Sequence, residues 1–377
     1  MRLGSPEHRR AADEGRAADP ASEEGSNGRR FAGLDKSEDR EEYAFVQMAD
    51  PQFGMLSSVA KLQWLIPMQS VIYAATCGFV KGKSVLPIPV VMKPKQLGAR
   101  RKPDWDEVEI DLSRRAVKLI NQMSPRPKFV VVCGDLVHAF PSEGAKQAAQ
   151  VETFKKIYSE IHRDIPLVCL CGNHDVGDRP TPTSIKVFSS RFGDDYFSFW
   201  VGQDKFIVLN SQLYKDASKA AQLADEQDRW LDHELFDKQD DRHRVIFTHI
   251  PPFINEPDEP SSYFPLEKTK RLDLLDRAAQ AGVTHWFAGH YHRNAQGTFE
   301  KGGRRVEVVT TGAVGANITT DPKGDELGLT GMDSMLGDPS VSGLRVVKVR
   351  ASGISHEFRS IADLEVETQK SGKIELR

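Results

Sequence analysis

From residue 42 onward, short apolar runs alternate with longer segments in which apolar side chains recur every three or four positions. The runs cover residues 43–48, 128–133, 166–170, 205–210, 245–249 and 284–288, and Val, Ile, Phe and Cys dominate them. Continuous rather than alternating apolar runs of this length predict strands buried on both faces. Between the first two runs, Trp105, Val108, Leu112, Leu119, Ile120 and Met123 fall at helical spacing, and Pro125 follows the predicted end. A second helix is predicted to start near residue 225 and to carry Trp230, Leu231 and Leu235. Strand–helix alternation of this kind predicts an α/β fold with functional residues at the strand ends. Later the rhythm changes. Residues 298–301, 305–311, 343–350 and 354–359 read as successive strands without long helices between them, which predicts a second, more antiparallel sheet packed on the first.

Other segments lie outside this pattern. Residues 1–42 are rich in Arg, Glu, Asp, Gly and Ala and read as a disordered tail, with neither the apolar stretch of a secretory signal nor the acid-poor composition of a mitochondrial presequence. Residues 62–80 contain no charged side chain, but Gln63, Pro67, Gln69, Ser70, Thr76 and Gly78 interrupt them, and a span there would split the core. No stable membrane span is expected. Residues 65–104 are read as an insertion, either apolar or retained untranslated sequence. Residues 319–342 read as a long loop and residues 361–377 as a C-terminal tail, which leaves one domain over residues 43–360.

Composition narrows the function. Among 377 residues, 51 Lys and Arg face 54 Asp and Glu, a net charge of −3 that argues against a nucleic-acid binder. The aromatic stretch 196–200 has no basic neighbours and reads as core strand rather than as a base-stacking platform. Four cysteines exclude a disulfide scaffold, and Cys169 and Cys171 alternate on one strand face as small buried hydrophobes do. A reducing, intracellular compartment is expected.

Five predicted strands end in side chains suited to metal chemistry: Asp50 with Gln52, Asp135, Asn173-His174-Asp175, His249, and His290 with His292. Each motif alone is a common turn or a satisfied polar residue. In this order, each behind an apolar run, they point to one shared site. Phosphate-ester hydrolysis needs a nucleophile at neutral pH and neutralisation of phosphoryl oxygens, and two cations about 4 Å apart supply both through a shared water that becomes hydroxide. Asp135 is the natural bridging carboxylate. Asp50, Asp135 and His292 can hold one cation; Asp135, Asn173, His249 and His290 can hold the other. Mixed oxygen and imidazole donors suit Mn, Fe or Zn, and the absence of thiolates argues against a structural zinc site.

The ordered set resembles the calcineurin-like metallophosphoesterase superfamily over nearly the whole stretch 43–360. Residues 49–54 (ADPQFG), 134–138 (GDLVH), 193–199 (GDDYFSF) and 289–294 (GHYHRN) resemble more closely the calcineurin-like phosphoesterase domain-containing protein 1 family, also called the complete S-transactivated protein type. That resemblance implies a four-layer α/β/β/α sandwich with two mixed sheets, a divalent-metal centre, cytoplasmic location and serine/threonine-protein phosphatase activity on phosphoprotein substrates. It also implies that His174 protonates the leaving alkoxide. The superfamily's first motif has a histidine where Gln52 stands, so the first cation should be held more weakly. His138, Ala139 and Cys171 replace residues of the large protein phosphatases' arginine motifs; Arg293 is a candidate substitute for a phosphate clamp. Asp175 is expected to orient the His174 loop, and His138 either to orient His174 or to cap a loop. Phosphodiester hydrolysis on a nucleotide or lipid head group is the alternative activity, and a binding scaffold with a weakened metal site the non-enzymatic one; residues 255–263 and 319–342 would set substrate choice.

If residues 65–104 are an insertion, Asp50-Pro51-Gln52 and the helix near residue 104 need only a short connection. Deleting residues 66–102 should then leave a cooperatively unfolding, active protein, checked by thermal unfolding and turnover; a soluble but unfolded variant would assign the segment to the core.

Overall fold

The unalternating apolar runs become the parallel strands of two stacked sheets. The computed structural model describes residues 34–37, 42–56, 107–237, 241–315, 317–318, 335–336 and 341–376. The uncharged segment 62–80 and the insertion read at 65–104 lie outside the described residues, as do most of the N-terminal tail and of the loop read at 319–342. In chain order the sheet strands are β1 (Tyr43–Met48), β2 (Val130–Val132), β3 (Leu167–Cys169), β4 (Phe197–Val201), β5 (Asp204–Val208) and β6 (His243–Phe247). They continue with β7 (Val283–Ala288), β8 (Ala295–Lys301), β9 (Arg304–Thr310), β10 (Gly343–Arg350) and β11 (Gly353–Ser360). The longer helices are α1 (Glu107–Asn121), α2 (Ala145–Tyr158), α3 (Pro182–Phe192), α4 (Ala221–Phe236), α5 (Lys268–Gln280) and α6 (Ile361–Ser371).

One sheet runs β11-β10-β1-β2-β3 and the other β4-β5-β6-β7-β9-β8. Each has a parallel centre, β1-β2-β3 or β5-β6-β7-β9, with antiparallel strands added at its edges. The inner faces meet in an aromatic core. Phe45 of β1 stacks on Phe129 at 4.5 Å between ring centres and meets the edges of Phe206, Phe247 and Phe287 at 5.7, 5.8 and 6.1 Å. α1, α2, α3 and α6 cover the outer face of the first sheet, and α4 and α5 that of the second. The result is the four-layer α/β/β/α sandwich.

Three expectations need correction. The late strands do not form a separate antiparallel sheet: β8 and β9 extend the second sheet, while β10 and β11 extend the first. Each hairpin completes an edge that the parallel strands leave open, and such long-range pairing leaves no local trace in the sequence. Residues 361–376 are not a tail. Ser360 caps α6 by accepting from the Asp363 N–H, Ile361 and Leu364 are fully buried against the first sheet, and Ile374–Glu375 pairs with Met123–Ser124. Nor is the whole N-terminal segment outside the fold, since Leu34 is buried and Lys36 bridges Gly202 beside β4. Among the described residues no helix is long and apolar enough to cross a membrane.

Because Phe45 touches aromatic partners from both sheets, Phe45→Ala should lower unfolding free energy by about 3–5 kcal/mol, measured by denaturant titration.

Candidate metal centre

The five motif segments leave the carboxyl ends of β1, β2, β3, β6 and β7 and converge at one edge of the sandwich. Their loops turn sharply. Asp50, Gln52, Asp135, His290 and His292 have φ of 52, 41, 49, 68 and 54°, and among the described residues they are the only non-glycine ones with positive φ. Each such backbone costs roughly 1–3 kcal/mol, strain that persists where function requires the geometry. Two glycines make the approach possible. Gly134 has φ 78°, and a Cβ there would lie 2.6 Å from the His249 ring; a Cβ on Gly172 would lie 2.2 Å from the Asp135 carboxylate.

The side chains fall into two buried donor groups, Asp50–Asp135–His292 and Asp135–His249–His290, each with its ligand atoms within 4.8 Å of one another. Asp135 belongs to both. Asn173 joins the second group, its Oδ1 lying 3.1 Å from His249 Nε2. His249 Nδ1 donates to the Cys133 carbonyl at 2.8 Å, which turns Nε2 toward Asp135 Oδ1 at 3.4 Å. His290 Nδ1 sits 3.1 Å from the same His249 nitrogen, and His292 Nε2 is 3.5 Å from Asp50 Oδ1. Three atoms here are buried without a hydrogen-bond partner: Asp50 Oδ1, Gln52 Oε1 and His290 Nε2. Unpartnered polar atoms buried in this way are costly unless something satisfies them, and with the two donor groups they fit two divalent metal ions.

The electrostatics point the same way. Burial pushes the Asp50 carboxyl well above its ordinary range, with the Asp135 charge adding to the effect. Burial also opposes ionisation of Asp135, but the His249, His174 and His290 imidazoles outweigh it and hold the carboxyl well below the usual range. Burial disfavours charge on His249, yet Asp135 and Asp50 raise it to about 9. Burial and the neighbouring His249 push His290 well down. Opposed shifts packed into one pocket are characteristic of working sites.

Around the ligands lie braces. His174 donates its backbone N–H to Asp135 Oδ1 at 2.9 Å, and its Nδ1 donates to the His138 carbonyl. Its ring stacks on His138 at 4.7 Å and leans on Phe140 at 4.3 Å, with Nε2 3.9 Å from Asp135 Oδ2. His138 therefore orients His174, through its main chain and its ring face. Asp175, expected from the sequence to orient the His174 loop, does contact its base: its carboxylate accepts from Gly172 N at 2.7 Å and Leu136 N at 3.2 Å, tying the His174 and Asp135 loops together. Gln52 Nε2 lies 3.5 Å from His138 Nδ1. Arg293 rests on Tyr291, its guanidinium 5.3 Å from the ring centre and Nη1 donating to the hydroxyl at 3.3 Å.

Sequence reasoning missed two contributors. Asp178 accepts from Asn173 Nδ2 at 2.9 Å, which aims the Asn173 oxygen at His249. Tyr263 lies over His290 at 5.1 Å between ring centres, its hydroxyl 3.4 Å from the same Asn173 nitrogen. An acid five residues beyond Asn173 was a readable signal; nothing in the spacing marks Tyr263.

Comparison with known proteins gives concordant matches. The calcineurin-like phosphoesterase family profile matches residues 110–294. Proteins named serine/threonine-protein phosphatase CPPED1 are similar over most of the chain. The Bos taurus protein is 42% identical over 263 residues, covering 69% of this chain and 76% of the relative. The Homo sapiens protein is 40% identical over 264 residues with the same coverage, and the Danio rerio protein 34% identical over 341 residues, covering 89% and 91%. A solved dimetal phosphatase from Danio rerio has a similar fold, with a TM-score of 0.51 and 14% identity over 85% of this chain and 96% of that one.

Asp178→Ala should lower affinity for the second cation by about 10- to 100-fold, the usual worth of a group that orients a ligand, while the Asp50–Asp135–His292 group keeps its own. Titration of metal-free protein by calorimetry checks this: one weakened step is expected, and loss of both would indicate unfolding of the loop.

Proposed function

The chain belongs to the calcineurin-like phosphoesterase family, and we propose that within it the protein is a metal-dependent serine/threonine-protein phosphatase acting on phosphoprotein substrates. The observation that carries this reading is the pair of buried donor groups sharing Asp135. The identity of 34–42% to relatives named serine/threonine-protein phosphatase supports the substrate class. Asp50, Asp135 and His292, with the Gln52 oxygen beside them, would hold one cation; Asp135, Asn173, His249 and His290 would hold the other. The donor chemistry favours Mn, Fe or Zn. When bound, the pair supplies charge neutralisation for phosphoryl oxygens and a water acidic enough to attack at neutral pH.

The remaining chemistry belongs to the chain. His174 acts as general acid. Its Nδ1–H is committed to the His138 carbonyl, so the mobile proton sits on Nε2, on the Asp135 side of the ring. Stacking between His138 and Phe140 keeps that nitrogen aimed. Burial, together with the His174 charge, pushes His138 down to about 3, so it remains neutral at physiological pH and adds no positive charge against a protonated His174. Proton delivery to the departing serine or threonine oxygen follows from this arrangement. Asp175 keeps the His174 loop and the Asp135 loop in register. The free, buried Cys133, Cys169 and Cys171 suit a reducing compartment, in keeping with a cytoplasmic location.

Protein reconstituted with Mn, Fe or Zn should hydrolyse a phosphoserine or phosphothreonine peptide faster than a bis-phosphodiester; the reverse preference would overturn the substrate class. His174→Ala should retain its metal and lose roughly 100- to 10,000-fold in rate on alkyl phosphates, but less on aryl phosphates, whose leaving groups need little protonation. Equal losses on both would remove the general-acid role.

A further inference from the structure

Beside the second donor group opens a cavity of about 290 Å³ lined by Asn173, Asp178, Arg179, Lys215, Asp216, Ile250, Tyr263 and His290. Several of its polar atoms are already committed. Asn173 Nδ2 donates to Asp178 and to the Tyr263 hydroxyl. Lys215 Nζ donates to the Ser262, Tyr263 and Pro265 carbonyls at 2.7, 2.9 and 2.6 Å, which uses all three of its protons. Arg179 is largely exposed at the rim, where its Nε faces Asp216 across 3.6 Å. Tyr263 differs from these. Its oxygen accepts from Asn173, so its own O–H proton is still available, and at neutral pH a phenol keeps that proton. The side chain is 57% exposed although its ring lies against His290.

The loop that carries Tyr263 is held by cations through its main chain. Besides the Lys215 tripod, the guanidinium of the buried Arg271 donates to the carbonyls of Pro257 at 2.8 Å, Leu266 at 3.1 Å and Glu259. Glu259 in turn accepts from the N–H groups of Ile254 and Asn255 at 2.8 and 2.9 Å. A surface loop fixed at six carbonyls by two side chains holds its tip in one place, the preorganisation that oxyanion donors require.

We propose that Tyr263 is a substrate-contacting residue whose hydroxyl donates to a non-bridging oxygen of the phosphoryl group, and that Lys215 is the residue that positions it. The ligand class is the phosphate oxyanion, whether as a monoester or as inorganic phosphate product. The proposal rests on the phosphoesterase reading of the same edge, but not on the identity of the esterified alcohol.

The test uses metal-loaded full-length protein and two readouts: inhibition or direct binding by inorganic phosphate, and kcat and KM for an aryl phosphate. In Tyr263→Phe, metal content by elemental analysis should equal that of the wild type, while phosphate binding weakens and kcat/KM falls by about 10- to 100-fold, as expected for a hydrogen bond to a charged group. Lys215→Met should show a similar loss in the wild-type background and little further loss in the Tyr263→Phe background, because it acts through the tyrosine. Unchanged phosphate binding in a folded, metal-replete Tyr263→Phe protein overturns the proposal, as does full additivity of the two substitutions. A wild type that binds phosphate but hydrolyses no monoester would sink the phosphatase reading alone, and the phosphate-binding comparison would still decide the role of Tyr263.

Discussion

One carboxylate, Asp135, sets the terms for the whole edge of the sandwich. It is buried and shared by both donor groups, and the segments that follow two other strands contact it: Gly172 and the His174 N–H after β3, and the His249 ring after β6. Taking such an anion out of water costs several kcal/mol unless charge and hydrogen bonds surround it. That requirement explains the local backbone. Five left-handed loop residues and a glycine with no room for a Cβ bring the positive and donor groups close enough. The strain concentrated here is offset elsewhere, by the parallel strand centres and the Phe45–Phe129 core beneath them.

The polar layer between core and site shows how that offset is transmitted. Gln47, on β1, donates to the Ala288 carbonyl at 3.0 Å, just ahead of Gly289 and His290, and accepts from the Thr311 hydroxyl. Arg345 on β10 donates to Thr311 at 2.7 Å and to Asn294 at 2.8 Å, at the far end of the loop that holds both histidines. The two sheets are therefore joined directly behind the ligands by fully used hydrogen bonds. Such a layer specifies one register between the sheets, because any slip strands a buried polar group.

How much of this was legible in the sequence follows from the range of each interaction. The candidate ligand residues were readable because each follows an apolar run, and α/β proteins place their chemistry at the carboxyl ends of strands. Asp135 stood out as the natural shared carboxylate, since a pair of cations needs a bridge. The membership of the sheets was not, because β8 to β11 choose edges by three-dimensional availability rather than by any pattern of their own. α6 was readable and was passed over: Ser360 with Asp363 and the Ile361–Leu364 pair form a local start signal. Lys215 and Arg271 leave no trace, since they act on main-chain carbonyls that every sequence possesses, and nothing local marks Tyr263.

Gln52 shows how the two halves of the site differ. Its backbone is left-handed, its side chain is buried, and its Oε1 has no hydrogen-bond partner while its Nε2 faces His138. An amide kept in that state is neither a surface residue nor a packing residue. Its oxygen is a neutral donor, weaker than the imidazole that the superfamily's first motif has at this position. The opposite side keeps two histidines and Asn173, whose oxygen Asp178 directs. It also has Tyr263 packed against it. Two histidines, Asn173 and the hydroxyl of the adjoining cavity therefore lie on the same side.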